Sequence, residues 1–425
     1  MRVFCIFLPT VTSKHAVKQV YRIIFTLMSA KSTRLFFIDA MRAWAILMML
    51  QGHFIDGLLD PVFRDSQDSV FTTWLYFRGI TAPVFFTVSG FIFTFLLVRV
   101  PQKGFDNPRV KKGIRRGLQL ILIGYLLRLN FFGLLKGHIY GGFYLVDVLH
   151  CIGLSILCII GVYLISTNRK KFVFPLILVG ITLLLFSFEP IYKQFTYGFL
   201  PEGISNYFTK ANGSVFTIFP WLGYATIGGA LAMLFTRFKN YKYLYAIAIG
   251  SAVVLGYALI FKSSAFFLDM YAVTGIELFK MIQSNNYLFI RLGDVFLVFA
   301  IFMVFRSLLT HKTILKIGSN TLTIYVIHFV ILYGSFTGLG LYKFFHHELS
   351  PGLAISGAIV FMVLCTYLSL QYEKYEADIK LQIDQVFQIA KVQAIGLQKS
   401  LVPIYKEIAP KVRLFLQRIV QVVRG

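Results

Sequence analysis

The sequence predicts an all-α, polytopic integral membrane protein, and three observations carry that prediction. Of its 425 residues 57% are hydrophobic and 17% aromatic, Phe alone accounting for 45. Charged residues make up only 14%, whereas a soluble chain uses about 25% to clothe its surface; an ordinary water-soluble enzyme and a disordered basic protein are both excluded. The apolar residues gather into about ten stretches, each close to the roughly 20 helical residues that a bilayer core about 30 Å thick requires. A net charge of +24 would suit nucleic acid in a soluble protein. Here the Lys and Arg residues crowd the short segments between apolar stretches, where they set orientation, so no nucleic-acid partner is expected.

The expected spans are 35–57, 74–98, 117–135, 143–167, 172–189, 213–236, 243–261, 286–305, 317–341 and 351–370. The first follows a basic segment, 1–33, whose apolar patch at 3–9 lacks a cleavage site, so the N terminus is expected to be cytoplasmic. The second is followed by seven basic residues in 99–116, and further basic clusters lie at 168–171, 237–243 and 306–316. Asp106 is the one acidic residue in those segments, whereas Asp60, Asp65, Asp68, Glu202, Asp269, Glu277 and Glu348 fall in the alternate loops. Both termini are therefore expected on the cytoplasmic side. Pro220 and a run of glycines are expected to interrupt the sixth span, although neighbouring helices can satisfy the freed backbone. The chain thus divides into a basic N-terminal segment (1–33), a transmembrane domain (34–370) and a cytoplasmic tail (371–425). In the tail Ile379, Ile383, Val386, Ile389 and Val392 recur at helical intervals. They predict amphipathic helices, broken at Pro403 and Pro410, lying on the inner leaflet or on a partner subunit; membrane lipids and a homo-oligomer join the expected partners.

Ionisable residues inside spans are expensive and mark functional candidates. The first span holds the densest set: Asp39, Arg42, His53 and Asp56 lie at offsets 0, 3, 14 and 17, which at 100° per residue share about a third of the helix circumference. Arg42 and His53 stand about 16 Å apart along the axis, the arginine low and the histidine high. A structural Asp39–Arg42 pair with a snorkelling His53 is the bland alternative. The second span begins with Arg78 and continues to Ser89 and Gly90, small residues that suit close helix packing. Lys111, Lys112, Arg115 and Arg116 open the third, a cluster suited equally to phosphates and to anionic lipid. Asp147 and His150 are one turn apart in the fourth, where a carboxylate can orient an imidazole as ligand, relay or structural pair. Arg291 and Asp294 repeat that spacing as an internal ion pair, and His328 falls near mid-membrane. Cys5, Cys151, Cys158 and Cys365 are scattered, as inert thiols are. No metal-ligand spacing occurs, the adjacent His346 and His347 included, and no metal is expected.

The segments "FFIDAMRAWAILMMLQGHF", "APVFFTVSGF", "RRGLQLILIGYLL", "VDVLHCIGL", "FPWLGYATIGGAL" and "IGSNTLTIYVIHF", in that order over roughly 34–340, resemble the membrane-embedded heparan-alpha-glucosaminide N-acetyltransferase catalytic-domain family and, more distantly, the acyltransferase-3 integral membrane proteins. The resemblance implies transfer of an acetyl or other short acyl group from cytoplasmic acyl-CoA to an amine or hydroxyl of a glycan or glycolipid across the membrane. No bound cofactor is implied, acetyl-CoA being a co-substrate. It places the first-span arginine and histidine on Arg42 and His53, the late Tyr-x-x-His element on His328, and the basic pair on Arg115 and Arg116. Two departures stand out: Arg42 is followed by Ala43 where glycine is usual, and His150 replaces a common glutamine. The expected roles are His53 as base, oriented by Asp56, with Arg42 on the pantetheine arm and Arg115, Arg116 and Lys112 toward the CoA phosphates. Arg78, Asp147, His150 and His328 complete the substrate-binding candidates. The expected setting is a bacterial inner membrane. A secondary transporter or glycan exporter without acyl transfer, and a non-catalytic scaffold, are the competing readings.

Overall fold

The computed structural model describes residues 34–424 and is all-helical, 77% helix with no strands among the described residues. Its principal helices are α1 (Phe36–Leu58), α2 (Ser69–Val98), α3 (Pro108–Arg128), α4 (Val148–Ser166), α5 (Val173–Ser187), α6 (Ile218–Phe238), α7 (Leu244–Phe261), α8 (Ser263–Thr274), α9 (Glu277–Ser284), α10 (Tyr287–Val304), α11 (Lys312–Ser319), α12 (Thr321–Tyr333) and α13 (Pro351–Arg424). The basic N-terminal segment, with Cys5, lies outside the described residues, as do the side chains of Ile383, Val386, Ile389 and Val392 in the tail.

Six of these helices are long and apolar enough to cross a bilayer: α2, α4 with its preceding turn, α6, α7, α10 and the first part of α13. The α11–α12 pair, bent by 70° at Asn320, makes a seventh if counted as one broken span. Each remaining expected span coincides with a helix that falls short for a visible reason. α1 carries Asp39, Arg42, Gln51, His53 and Asp56; α3 opens on its cations; α5 has only 15 residues. α3 starts at Pro108, nine residues before the expected 117, because cations lower hydropathy without breaking a helix. Asn107 caps it by accepting from the Arg109 N–H at 2.9 Å, with Pro at the first turn.

Two further expectations are corrected. The interruption at Pro220 is confined to the start of α6, where Phe219 alone is non-helical, and the glycines beyond it lie within regular helix. α13 runs unbroken through Pro403 and Pro410 to Arg424. Each proline removes one backbone donor, and the surrounding Glu, Ala, Lys, Gln and Leu residues favour helix strongly enough to carry it across.

Two compact units divide the chain, one through Met362 and the other from Val363. In the first, α2 and α6 form the central pair. A Cβ at Gly90 would fall on the Ala225 carbonyl oxygen, and one at Gly228 on that of Thr87. Only glycine permits this backbone approach. Around the pair Phe37, Phe91, Phe235 and Phe299 interlock with ring centroids 5.5–6.5 Å apart, tying α1 and α10 to it by aromatic packing. In the second unit, α13 exposes Val363, Tyr367, Tyr372, Tyr375 and Leu381 and carries a Lys380–Glu376 pair at 2.5 Å.

Candidate active site

The polar stripe of α1 separates into two environments. At its start Asp39, 6% exposed, accepts from Arg34 Nε at 2.5 Å and lies 3.8 Å from Arg42 Nη1. Arg42 Nη2 donates to Thr321 Oγ1 of α12 at 3.0 Å. α11 can approach here because Gly318 lies against the Asp39 backbone, where a side chain would collide with the Asp39 carbonyl. Arg42 also feels the positive charge of Arg116. Arg115 instead flanks an open groove on the outside of α3, with Lys111, Leu118 and Gln119. Consecutive helical residues diverge by 100°, so the basic pair is split between two faces, and Lys112 is exposed.

The far end of α1 opens into a cavity of about 670 Å³. His53, Asp56, Arg78 and Asp147 line it, together with Arg128, Asn130, Tyr325, Tyr333 and Tyr342 and the rings of Phe216, Phe329 and Phe336. His53 Nδ1 lies 3.3 Å from His328 Nε2 and 3.4 Å from the Tyr333 hydroxyl. His328 is fully buried, with Tyr325 packed edge-on at 4.7 Å, and its Nδ1 has no hydrogen-bond partner. Asp56 forms an ion pair with Arg78, not with His53, so the orienting neighbour of His53 is an imidazole. Asp147 accepts from Arg128 Nε at 3.1 Å, caps α4 through the Leu149 N–H, and lies 3.1 Å from His150 Nδ1. His150 is fully buried behind it, its ring filling the space a side chain at Gly124 would take. The Arg291–Asp294 pair forms at 2.9 Å, with Tyr76 donating to Asp294 at 2.6 Å.

Backbone contacts fix the rim. Phe131 N–H donates to Phe336 O at 2.8 Å and Phe336 N–H to Leu129 O at 3.1 Å, while the Ser335 hydroxyl donates to Leu127 O. The loop after α12 is thereby stapled to the end of α3. Arg128 and Tyr333 are cavity residues that sequence reasoning did not single out, and Tyr325, the tyrosine of the Tyr-x-x-His element, was given no role of its own. Tyr325 and Tyr333 flank His328 at −3 and +5, a signal that was available; Arg128 closes a span next to Asn130 with no motif around it.

Arg42 does not line the cavity. Ile46, fully buried, and Met49 stand between it and His53 on the same stripe.

One comparison with known proteins decides the family: the model of the acyltransferase-3 family, described as an acyltransferase domain, matches residues 35–370. The chain belongs to the acyltransferase-3 family. No curated protein matches it. Of the two resemblances drawn from the sequence, the more distant is thus the one matched. This acyltransferase-3 protein is a multi-pass membrane acyltransferase, and the transporter reading is not favoured. The matched residues contain both ends of the α1 stripe and His328.

Proposed function

We propose that the protein transfers a short acyl group from acyl-CoA, used at the Arg42 end, to a hydroxyl or amine of a glycan or glycolipid held in the cavity at the His53 end. The observation that carries this reading is the contact of His53 with His328 and Tyr333 at the wall of a large polar and aromatic cavity. Acyl transfer needs a base for the acceptor proton and donors for the developing oxyanion. His53 acts as base through Nε2, which requires its proton on Nδ1, donated to His328 Nε2. His328 then carries its own proton on Nδ1. The acceptor oxygen or nitrogen attacks the thioester carbonyl, the C–S bond breaks, and the proton passes through His53 to the departing thiolate. The Tyr333 hydroxyl and Arg78 stand on the same wall, as donors for charge developing on the carbonyl oxygen and for acceptor hydroxyls. Arg42 and Arg116 hold the phosphate-bearing end of the donor, and the acyl-bearing arm passes Ile46 and Met49 to reach His53. We take the chain to cross a bacterial inner membrane ten times, both termini inside, because its basic segments alternate with its acidic ones.

The test is reconstitution in liposomes with radiolabelled acetyl-CoA in one compartment and envelope glycans or glycolipids in the other, with mass spectrometry of the products. Labelled acceptor on the side opposite the donor is the expected result. Passage of unmodified glycan without CoA release would overturn it.

A further inference from the structure

A second cavity of about 320 Å³ lies between α6, α7 and α10, remote from the His53 wall. Its lining is apolar apart from Ser251 and the Tyr241 hydroxyl: Leu231, Phe238, Leu244, Ile247, Phe296 and Met303 are representative. α7 buries only 11% of its apolar window inside the protein, so the cavity is a groove open along a hydrocarbon-facing helix. The mouth is chemically different. Phe238, Tyr241 and Leu244 form it, and the same turn carries Arg237, Lys239 and Lys242. Arg306 joins from the end of α10, donating to the Met303 carbonyl at 2.8 Å and stacking over Tyr245 at 4.2 Å. Residues 237–243 contain no carboxylate, and among the described residues no salt bridge to a carboxylate is formed by Arg237, Lys239 or Lys242. An apolar slot ending in uncompensated cations matches one class of molecule, an amphiphile with hydrocarbon chains and an anionic head.

We infer that this groove is a binding site for an anionic diacyl phospholipid, one chain lying in the slot and the phosphate at Arg237, Lys239, Lys242 and Arg306. Basic pockets between transmembrane helices on the cytoplasmic side recognise such head groups, and charge complementarity selects this occupant over a neutral lipid or an apolar helix. The groove has a structural consequence for α1. Phe235 and Phe299 line it, and both pack against Phe37, two residues before Asp39 starts the Asp39–Arg42 ion pairing. Tyr245, beneath Arg306, touches Phe37 at 6.2 Å. A lipid in the groove thus braces the Arg42 end of α1 through the aromatic wall of Phe235, Tyr245 and Phe299 that packs on Phe37.

Binding is measured without reference to transferase activity, so its failure is separate from any failure of the functional reading. The full chain, delipidated and placed in nanodiscs with equal parts of palmitoyl-oleoyl phosphatidylglycerol and phosphatidylcholine, is released into native mass spectrometry. The expected result is retention of phosphatidylglycerol over phosphatidylcholine. That preference should fall about thirtyfold in Lys239→Gln/Lys242→Gln, at roughly 1 kcal/mol for each cation removed. Ser251→Trp, at an exposed position of α7, fills the slot while leaving the cations in place, and should abolish retention. Equal retention of both lipids, or unchanged preference in the lysine variant, overturns the inference. So does retention that survives Ser251→Trp, or a dimer crosslinked through Ser251→Cys in place of bound lipid.

Discussion

The two ends of α1 carry the same kinds of side chain and hold them in opposite ways. At the start, Asp39 is buried between Arg34 and Arg42, and Arg42 is bonded onward to Thr321. At the other end Asp56 is drawn aside by Arg78, and His53 faces a large cavity with an imidazole and a phenol as the hydrogen-bonding neighbours of its Nδ1. Neutral partners leave a proton free to move, whereas a tight carboxylate–guanidinium pair holds charge in place. On the proposed function a single stripe thus provides a gripping end and a reacting end, and Ile46 and Met49 separate them.

That contrast is open to direct attack. The largest effect is expected at the reacting end: His53→Gln should lower kcat by about 10²–10⁴-fold, the range of general acid–base catalysis, with KM for acyl-CoA and the melting temperature unchanged. Full turnover in a folded His53→Gln protein would remove the base assignment. Ile46→Trp comes next. Plugging the stripe should bring turnover close to background while tritiated CoA binding at the Arg42 end persists; normal turnover would mean that the donor arm travels elsewhere. His328→Leu should reduce kcat by about 10²-fold, the low end of the acid–base range. His328→Gln, which keeps an acceptor, should recover most of the loss. Nitrogen-15 shifts of His53 report the change, since the proton should move from Nδ1 to Nε2 in the leucine variant. Arg128→Met leaves Asp147 buried with only its helix-cap and His150 contacts, and should destabilise by about 2–4 kcal/mol, somewhat below a fully stripped buried pair; thermal unfolding in nanodiscs measures it. The smallest effect belongs to Arg115→Ala, about a factor of two in donor KM for an exposed surface charge. Arg116→Ala should raise KM clearly more, because Arg116 alone of the two bears on Arg42. Equal effects would show that the two faces of α3 act together.

The α1 stripe was legible because helical periodicity converts spacing into direction, and α1 is an uninterrupted helix. Its partners were not. His328 is 275 residues from His53, and nothing local in "TIYVIHFVILY" says which ring nitrogen meets which. Arg78 and Asp56 each stood out as charges within spans, but their pairing depends on how α2 crosses α1, a tertiary fact. The glycine of "TVSGF" did announce close packing, and Gly90 delivers it; those of "ATIGGAL" read as an interruption, whereas Gly228 packs against the Thr87 backbone within regular helix. Hydropathy misplaced the start of α3, since it scores cations as water-loving and ignores that Asn107–Pro108 is a helix start. It also ran the ninth span straight from 317, inside α11, when the turn at Asn320 bends α11 from α12 by 70°. The prolines of α13 misled in the other direction, a local penalty being outvoted by a long run of good helix formers.

The contact between α2 and α6 constrains how this bundle can work. With no side chains between the two backbones at Gly90 and Gly228, slipping by one helical turn would drive the bulk of Phe86 or Tyr224 into a space that holds only glycine. The pair is a mast that neither slides nor swivels. Any change of shape in this unit must therefore be rigged from the periphery, around this immobile centre.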